Sequence, residues 1–372
     1  MAVEKVDIKR INRNRVFRCL LDGKTRTTAN ISKDLSISLP TAAMHINSLR
    51  QENLVLECGL QESTGGRCAK TFACNAGAFV GCGIDITHSI ITIVIVDLCG
   101  NIVDFEKIMH AFAPEEAYLQ MLNSSLSNLL QKNGIPRERV LGLGISLPAS
   151  IDGDGRICDT AFAVSLPDNF QAEIQRNLPY RLWYVNDANS GGYAEFWGIR
   201  ERENLFYLSL SSSVGGAVRI HNRVFDGDDF RSAEIGHVSM VIGGKPCYCG
   251  QRGCVNAYCS SDNLSDGGTV GLERFFRDLD AMDADCMRKW DSYLDYLAVA
   301  IKNIRMLYDC DVIIGGKVGR YIPRYIPELT RRVQALDSFH RIGDCILPCK
   351  YRSKSSAVGA ALIHIDRFIE NV

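Results

Sequence analysis

The chain has 372 residues, 46% hydrophobic and 23% charged, a balance that excludes a disordered polyelectrolyte and leaves room for two or three domains. It has no run of about 18 apolar residues and no apolar core near its start, so neither a membrane span nor a secretory leader is expected. The net charge of −1 hides an asymmetry: residues 1–70 hold twelve Lys and Arg against seven Asp and Glu, leaving a basic head on an acidic body. Such a head suits a polyanionic partner. The fifteen cysteines are scattered, which points to a reducing, cytoplasmic setting where most act as small apolar residues.

Residues 7–22 carry the helical repeat, with Ile8, Ile11, Val16, Leu20 and Leu21 on one broad apolar face and Gly23 as the stop. Thr28 is expected to cap a short second helix through Leu35. Ser38 is expected to cap a third, with Pro40 tolerated in its first turn. In that third helix Ala42, Ile46 and Leu49 face inward, and Thr41, Met44, His45 and Ser48 face outward. Short strands at 54–57 and 71–73 flank a tip, Thr64-Gly65-Gly66-Arg67. Together these parts describe a winged helix-turn-helix over residues 1–75 that grips double-stranded DNA. Its candidate contacts are Thr41, Met44, His45 and Ser48 on the helix and Arg67 on the wing, where a guanidinium suits a narrow minor groove. The outward helix face is poor in the usual base readers, so the pattern speaks for DNA and for no particular operator. A small helical protein-interaction domain is the alternative.

Strands are predicted at 79–87, 90–97 and 101–107, then a helix near 114–133 and a strand at 139–147. A second strand set spans about 204–225, and a long helix at 287–309 precedes a strand at 311–315. A last helix, about 354–370, is expected to cross back onto the first lobe. Strands followed by helices, twice over, make residues 76–372 two α/β lobes.

The sharpest local signal is His237 followed by Cys247, Cys249 and Cys254, with Gly250 and Gly253 between the last two cysteines. Three thiolates and an imidazole suit a closed tetrahedral structural zinc site. The two glycines let the backbone bend so that nearby sulfurs converge.

Glu234-Ile235-Gly236-His237 with this cysteine pattern resembles the signature of the ROK family, which joins sugar repressors and sugar kinases. The head with its Thr-Gly-Gly-Arg tip resembles the repressor branch. Further similarities run along the chain: Gly81–Ile86, Gly142–Asp152, the Asn186-Asp187-Ala188-Asn189 motif, Ile313–Gly316 and Ala357–Leu362. The resemblance implies the two-lobed actin and hexokinase fold, with ligand between the lobes. It also implies a sugar site at Asn186, Asp187, Glu234 and His237, with Asp187 in the place of the kinases' general base. Asn256 stands where the family has a glutamate, and it is expected to meet a sugar hydroxyl as well.

The resemblance breaks at the phosphates. The kinases carry Asp-x-Gly-Gly-Thr on the first hairpin, where backbone approaches phosphate closely. Here the run is Asp85-Ile86-Thr87-His88-Ser89, and Ser211-Ser212-Ser213 replaces the leading glycines of the second phosphate strand. The expectation is therefore a repressor of carbohydrate-related genes, without kinase activity, that changes its grip on DNA when a small carbohydrate closes the cleft. A homodimer or homotetramer would set two recognition helices about one DNA turn apart. The rivals are an active ATP-dependent sugar kinase and a regulator governed by a protein partner with no sugar ligand.

Overall fold

A computed structural model of the chain describes residues 2–61, 68–159, 166–199, 201–265, 268–337 and 343–372. The N-terminal elements are α1 (Ala2–Leu20), β1 (Arg26–Thr27), α2 (Thr28–Leu35), α3 (Leu39–Gln51), β2 (Val55–Gln61) and β3 (Ala69–Cys74). The strands form an antiparallel sheet in the order β1-β3-β2.

Two local expectations shift here. The cap of α2 is Thr27, not Thr28. The Thr27 hydroxyl accepts the Asn30 amide at 3.1 Å, and Asn30 Oδ1 answers at the Thr27 amide at 3.2 Å, a reciprocal box. Helix α1 begins about a turn earlier than the repeat suggested, and its apolar face is narrower. Val16, Phe17 and Leu20 are buried, whereas Ile8 and Ile11 are more than half exposed. Ser38 caps α3 as expected, accepting the Thr41 amide at 3.2 Å.

The first lobe follows as β4 (Val80–Ile86), β5 (Ile90–Asp97), β6 (Ile102–Met109), α4 (Glu116–Lys132) and β7 (Val140–Leu147). A small hairpin, β8 (Ser150–Ile151) and β9 (Ile157–Asp159), precedes α5 (Phe170–Asn177), β10 (Leu182–Asn186) and α6 (Asp187–Phe196). The five-stranded sheet has the order β10-β7-β4-β5-β6, with β4, β7 and β10 parallel.

The second lobe comprises β11 (Leu205–Leu210), β12 (Val214–Ile220), β13 (Arg223–Val224), α7 (Asn256–Cys259), α8 (Gly268–Asp280) and α9 (Ala284–Tyr308). It is completed by β14 (Asp311–Gly315), α10 (Gly316–Gly319), α11 (Ile326–Ala335) and β15 (Ile346–Pro348). Its sheet runs β13-β12-β11-β14-β15, with β11, β14 and β15 parallel. The chain ends in α12 (Ser355–Glu370), which returns to lie across β4 and β7 of the first lobe.

Parallel strands end together, so their loops share one edge. Thr87, Pro148 and Asp187 leave the first sheet on the side where Ser209 and Gly315 leave the second, and the cleft lies between. The outer layers of the first lobe are not independent of the head. Val16, Phe17, Leu20, Ile46, Leu49 and Phe72 join Val94, Val96, Leu98, Leu362 and Ile365 in one buried cluster. Among the described residues no helix is long and apolar enough to cross a membrane.

Candidate functional site

Helix α3 presents a different face from the one its repeat suggested. Ala42, Ile46 and Leu49 are buried as expected, Met44 is exposed, and Thr41 is half-buried. Ser48 is half-buried and accepts a hydrogen bond from Arg13 at 3.0 Å. His45 departs from expectation: it lies 1% exposed in the head's core. Its imidazole pKa is lowered by burial and then by Arg13 and Lys9. The face turns by about one residue because α1 covers the His45 side. Asn47, exposed and of a base-reading type, takes the outward place that the sequence reading gave to His45. The wing tip with Arg67 lies outside the described residues.

The cysteine cluster assembles as its spacing suggested. The ligand atoms of His237, Cys247, Cys249 and Cys254 all lie within 4.8 Å of one another. Cys249 and Cys254 Sγ are 3.8 Å apart, and Cys247 Sγ is 3.9 Å from His237 Nδ1. Zinc–sulfur bonds of about 2.3 Å in a tetrahedron separate sulfurs by about 3.8 Å, and the Cys249–Cys254 pair already sits at that spacing. The bend that brings Cys254 in needs a glycine before it. Gly253 has φ +81°, and a Cβ there would fall 1.7 Å from the Val241 carbonyl oxygen. His237 Nε2 faces the Tyr248 hydroxyl at 3.2 Å, so that hydroxyl is a partner for the ring nitrogen that points away from the cysteines.

Two cavities share Pro148, Asp187, Ser212 and Ser213. The first, of about 580 Å³, is lined by Asn186, Asp187, Glu234 and His237, four of the five residues expected to meet a carbohydrate. Ser150, Phe230, Arg231 and Tyr248 also line it, and sequence reasoning missed them. Tyr248 sits inside the cysteine motif and could have been found there. Phe230 and Arg231 lie on a loop with no pattern.

Asn186 is structural as well as lining. Its Oδ1 accepts the Ala188 and Asn189 amides at 3.0 and 3.1 Å, capping α6, and its amide donates to the Ala149 carbonyl at 3.1 Å. Asn256, the fifth expected residue, is 6% exposed and does not line this cavity. Its Oδ1 accepts the Val214 amide at 2.7 Å, so the side chain anchors the start of β12. A buried backbone N–H with no strand partner needs an acceptor, and that need determines this residue's place.

Asp187 is half-buried at the junction of the two cavities. Burial raises its carboxyl to about 7, helped by the charges of Asp85 and Glu234. Asp85 itself is pushed up to about 6 by burial, offset in part by the Ser146 hydroxyl, which donates to it at 2.7 Å. The parallel register that places Asp85 beside Ser146 makes this bond.

The second cavity, about 390 Å³, is lined by Thr87, His88, Ser89, Ser211, Lys317 and Arg352 among others. The Thr87 hydroxyl donates to the Ile90 carbonyl at 2.8 Å and accepts the Ile90 amide at 3.1 Å, closing the hairpin with a side chain. Lys317 Nζ donates to Ser212 Oγ at 2.9 Å, and burial lowers the lysine's pKa.

The profile of the ROK family matches residues 81–367. The xylose repressor of Bacillus subtilis (strain 168) is 24% identical over 379 residues, covering 98% of this chain and 97% of that protein. A crystal structure of a ROK family transcriptional regulator, a homologue of the E. coli MLC protein, superposes with a TM-score of 0.75 at 20% identity over 98% of this chain and 97% of its own. A ROK family glucokinase from Streptomyces griseus, in complex with glucose and AMPPNP, gives a TM-score of 0.65 at 20% identity and covers 76% of this chain and 98% of its own.

Proposed function

The chain belongs to the ROK family, and from that premise we propose that it is a DNA-binding transcriptional repressor whose two-lobed body senses a small carbohydrate. The observation that carries this reading is the extent of the likeness. The xylose repressor aligns over 98% of the chain, head included, whereas the glucokinase structure covers 76%.

In this reading residues 1–75 are a winged helix-turn-helix and residues 76–372 the sensor. Helix α3 enters the major groove with Met44 and Asn47 outermost, flanked by Thr41 and Ser48. Asn47 supplies the bidentate donor–acceptor pair that suits adenine. Arg67 on the wing reaches the minor groove. The assembly is a two-fold homodimer, or a tetramer of such dimers, matched to a palindromic operator.

His237, Cys247, Cys249 and Cys254 hold a structural zinc. A closed Cys₃His shell leaves no coordination position for water, so its contribution is to fix the loop that carries Tyr248 and Cys249 into the carbohydrate cavity. The effector lies against Asp187, Glu234 and Tyr248. A pentose of the xylose type is the first candidate.

Phosphoryl transfer is not part of this function. Transfer requires preorganised backbone donors around the phosphates, each worth roughly 3 kcal/mol of transition-state stabilisation. Here the Thr87 side chain and the bulk of His88 occupy that hairpin. One observation favours a residual sugar kinase: a carboxyl near pKa 7 where the two cavities meet is what a general base for a sugar hydroxyl requires.

Genome-wide footprinting of the bound DNA, followed by binding to a recovered site with and without D-xylose, tests the repressor reading. Sites beside carbohydrate genes, released by sugar, are expected; a chain that protects no DNA refutes it. Coupled phosphate release over a sugar panel, lost in Asp187→Asn, would establish the kinase instead.

A further inference from the structure

A sensor of this kind must pass a signal from cleft to head, so the next step rests on the reading above. We propose that α6 and α12 form one stiff bar between the two, with Tyr193 and Asp366 as the joint that hands a shift at Asp187 to Arg18 of the head.

Helix α6 starts at Asp187 on the cleft floor and carries Tyr193 about 9 Å further along its axis. Helix α12 starts at Ser355 and Ser356, which line the second cavity, and carries Asp366 about 15 Å further on. The two helices are locked near the cleft. Ser356 Oγ donates to the Asp187 carbonyl at 2.9 Å, and Ser190 Oγ donates to the Ser356 carbonyl at 2.6 Å. A Cβ at Gly359 would fall 1.7 Å from the Ser190 carbonyl oxygen, so backbone meets backbone with no side chain to absorb movement. Close-packed contacts of this kind transmit displacement.

At the far end one carboxylate serves both parts of the molecule. Tyr193 Oη donates to Asp366 Oδ2 at 2.6 Å, and Arg18 of α1 pairs with Asp366 Oδ1 at 2.8 Å. Asn14 of α1 donates to the Ile369 carbonyl, and Phe79, just after the head, packs on Phe368 at 4.9 Å. The Arg18 and Asp366 side chains are 35% and 26% exposed, so their ion pair rearranges at modest cost, as a joint requires. The body side of the joint is firmer, because the half-buried Tyr193 ring packs on the core that α12 shares with the head, and desolvation and then Asp366 hold its hydroxyl well above its ordinary pKa.

Hydrogen exchange on the full chain tests this in four proteins: native, Asp187→Asn, Tyr193→Phe and the double variant. Asp187→Asn leaves an acceptor for the Ala188 amide, which Asp187 accepts at 2.9 Å, and removes the carboxylate charge from the first turn of α6. Tyr193→Phe keeps the ring and removes only the hydroxyl. In the native background Asp187→Asn is expected to alter exchange along α1 at least about fivefold, and in the Tyr193→Phe background less than about twofold. Equal changes in both backgrounds, or a native change confined to α6, would overturn the relay. Asp366→Asn provides a second background in which the transmission must also fail. Neither sugar nor operator enters the measurement, so a failed relay leaves the repressor reading standing. A chain that binds no DNA could still show the coupling.

Discussion

The two cavities that meet at Asp187 are walled in contrasting ways. The larger one is bounded by a helix start capped by Asn186, a strand start anchored by Asn256, and a loop that gathers three cysteines and a histidine. The smaller one is bounded by a hairpin that a threonine side chain closes and by basic side chains such as Lys317 and Arg352. A kinase needs both walls preorganised, because the phosphoryl group passes between them. A sensor needs only the first to be rigid and the second to be able to move. That contrast is what the proposed loss of transfer rests on, and it can be attacked from either side.

The largest expected effect is on the rigid wall. Cys254 is fully buried, and Cys254→Ser removes one donor from the cluster proposed to hold zinc. Elemental analysis is expected to show loss of bound zinc, and urea unfolding a loss of more than about 4 kcal/mol. A variant that retains stoichiometric zinc would remove Cys254 from the ligand set. Next in size, Asn256→Ala leaves the buried Val214 amide without its acceptor. A cost of about 1–3 kcal/mol is expected, with carbohydrate affinity nearly unchanged. Loss of sugar binding at unaltered stability would return Asn256 to the ligand site.

The second wall offers a gain. Thr87→Gly with His88→Gly reopens the hairpin, and calorimetry is expected to show MgATP binding tightened about tenfold, equivalent to about 1.4 kcal/mol. The fold should lose about 1 kcal/mol from the missing Thr87 bonds and the added chain entropy. Unchanged nucleotide affinity would mean that these side chains are not what blocks the site.

A pH-dependent effect concerns the junction. Asp187 has a folded-state pKa raised from 3.8 to about 7, so its protonated form stabilises the fold. That contribution is whole below the ordinary value and is lost as pH rises through about 7. The native melting temperature is therefore expected to fall, relative to Asp187→Asn, between about pH 4 and pH 8. Parallel melting curves for the two proteins would show that the carboxyl is not raised.

Much of this molecule was legible from short stretches of chain. The strands at 80–86, 90–97 and 311–315 follow from continuous apolar runs, because a strand buried on both faces needs no alternation. The cysteine–histidine cluster was legible because three of its four side chains lie within eight residues, so local backbone bending alone brings them together. Periodicity misplaced His45 for a different reason. A helix repeat gives the spacing of a face, not its limits, and those limits depend on where α1 lies. The same holds at Ile8 and Ile11, which continue the repeat past the end of the surface that would bury it.

By itself, then, the order of residues determined what neighbours in the chain can settle: the capped helix at Ser38, the strand runs, the bend at Gly253 and the side-chain closure at Thr87. Only the folded lobes decided that Asn256 would serve Val214, that Tyr248 would satisfy His237, and that Asp366 would hold Tyr193 with one oxygen and Arg18 with the other. The reason is distance along the chain. Arg18 and Asp366 are brought together by burying the apolar faces of α1 and α12 in one core, and no local propensity encodes which polar groups such burial will leave side by side.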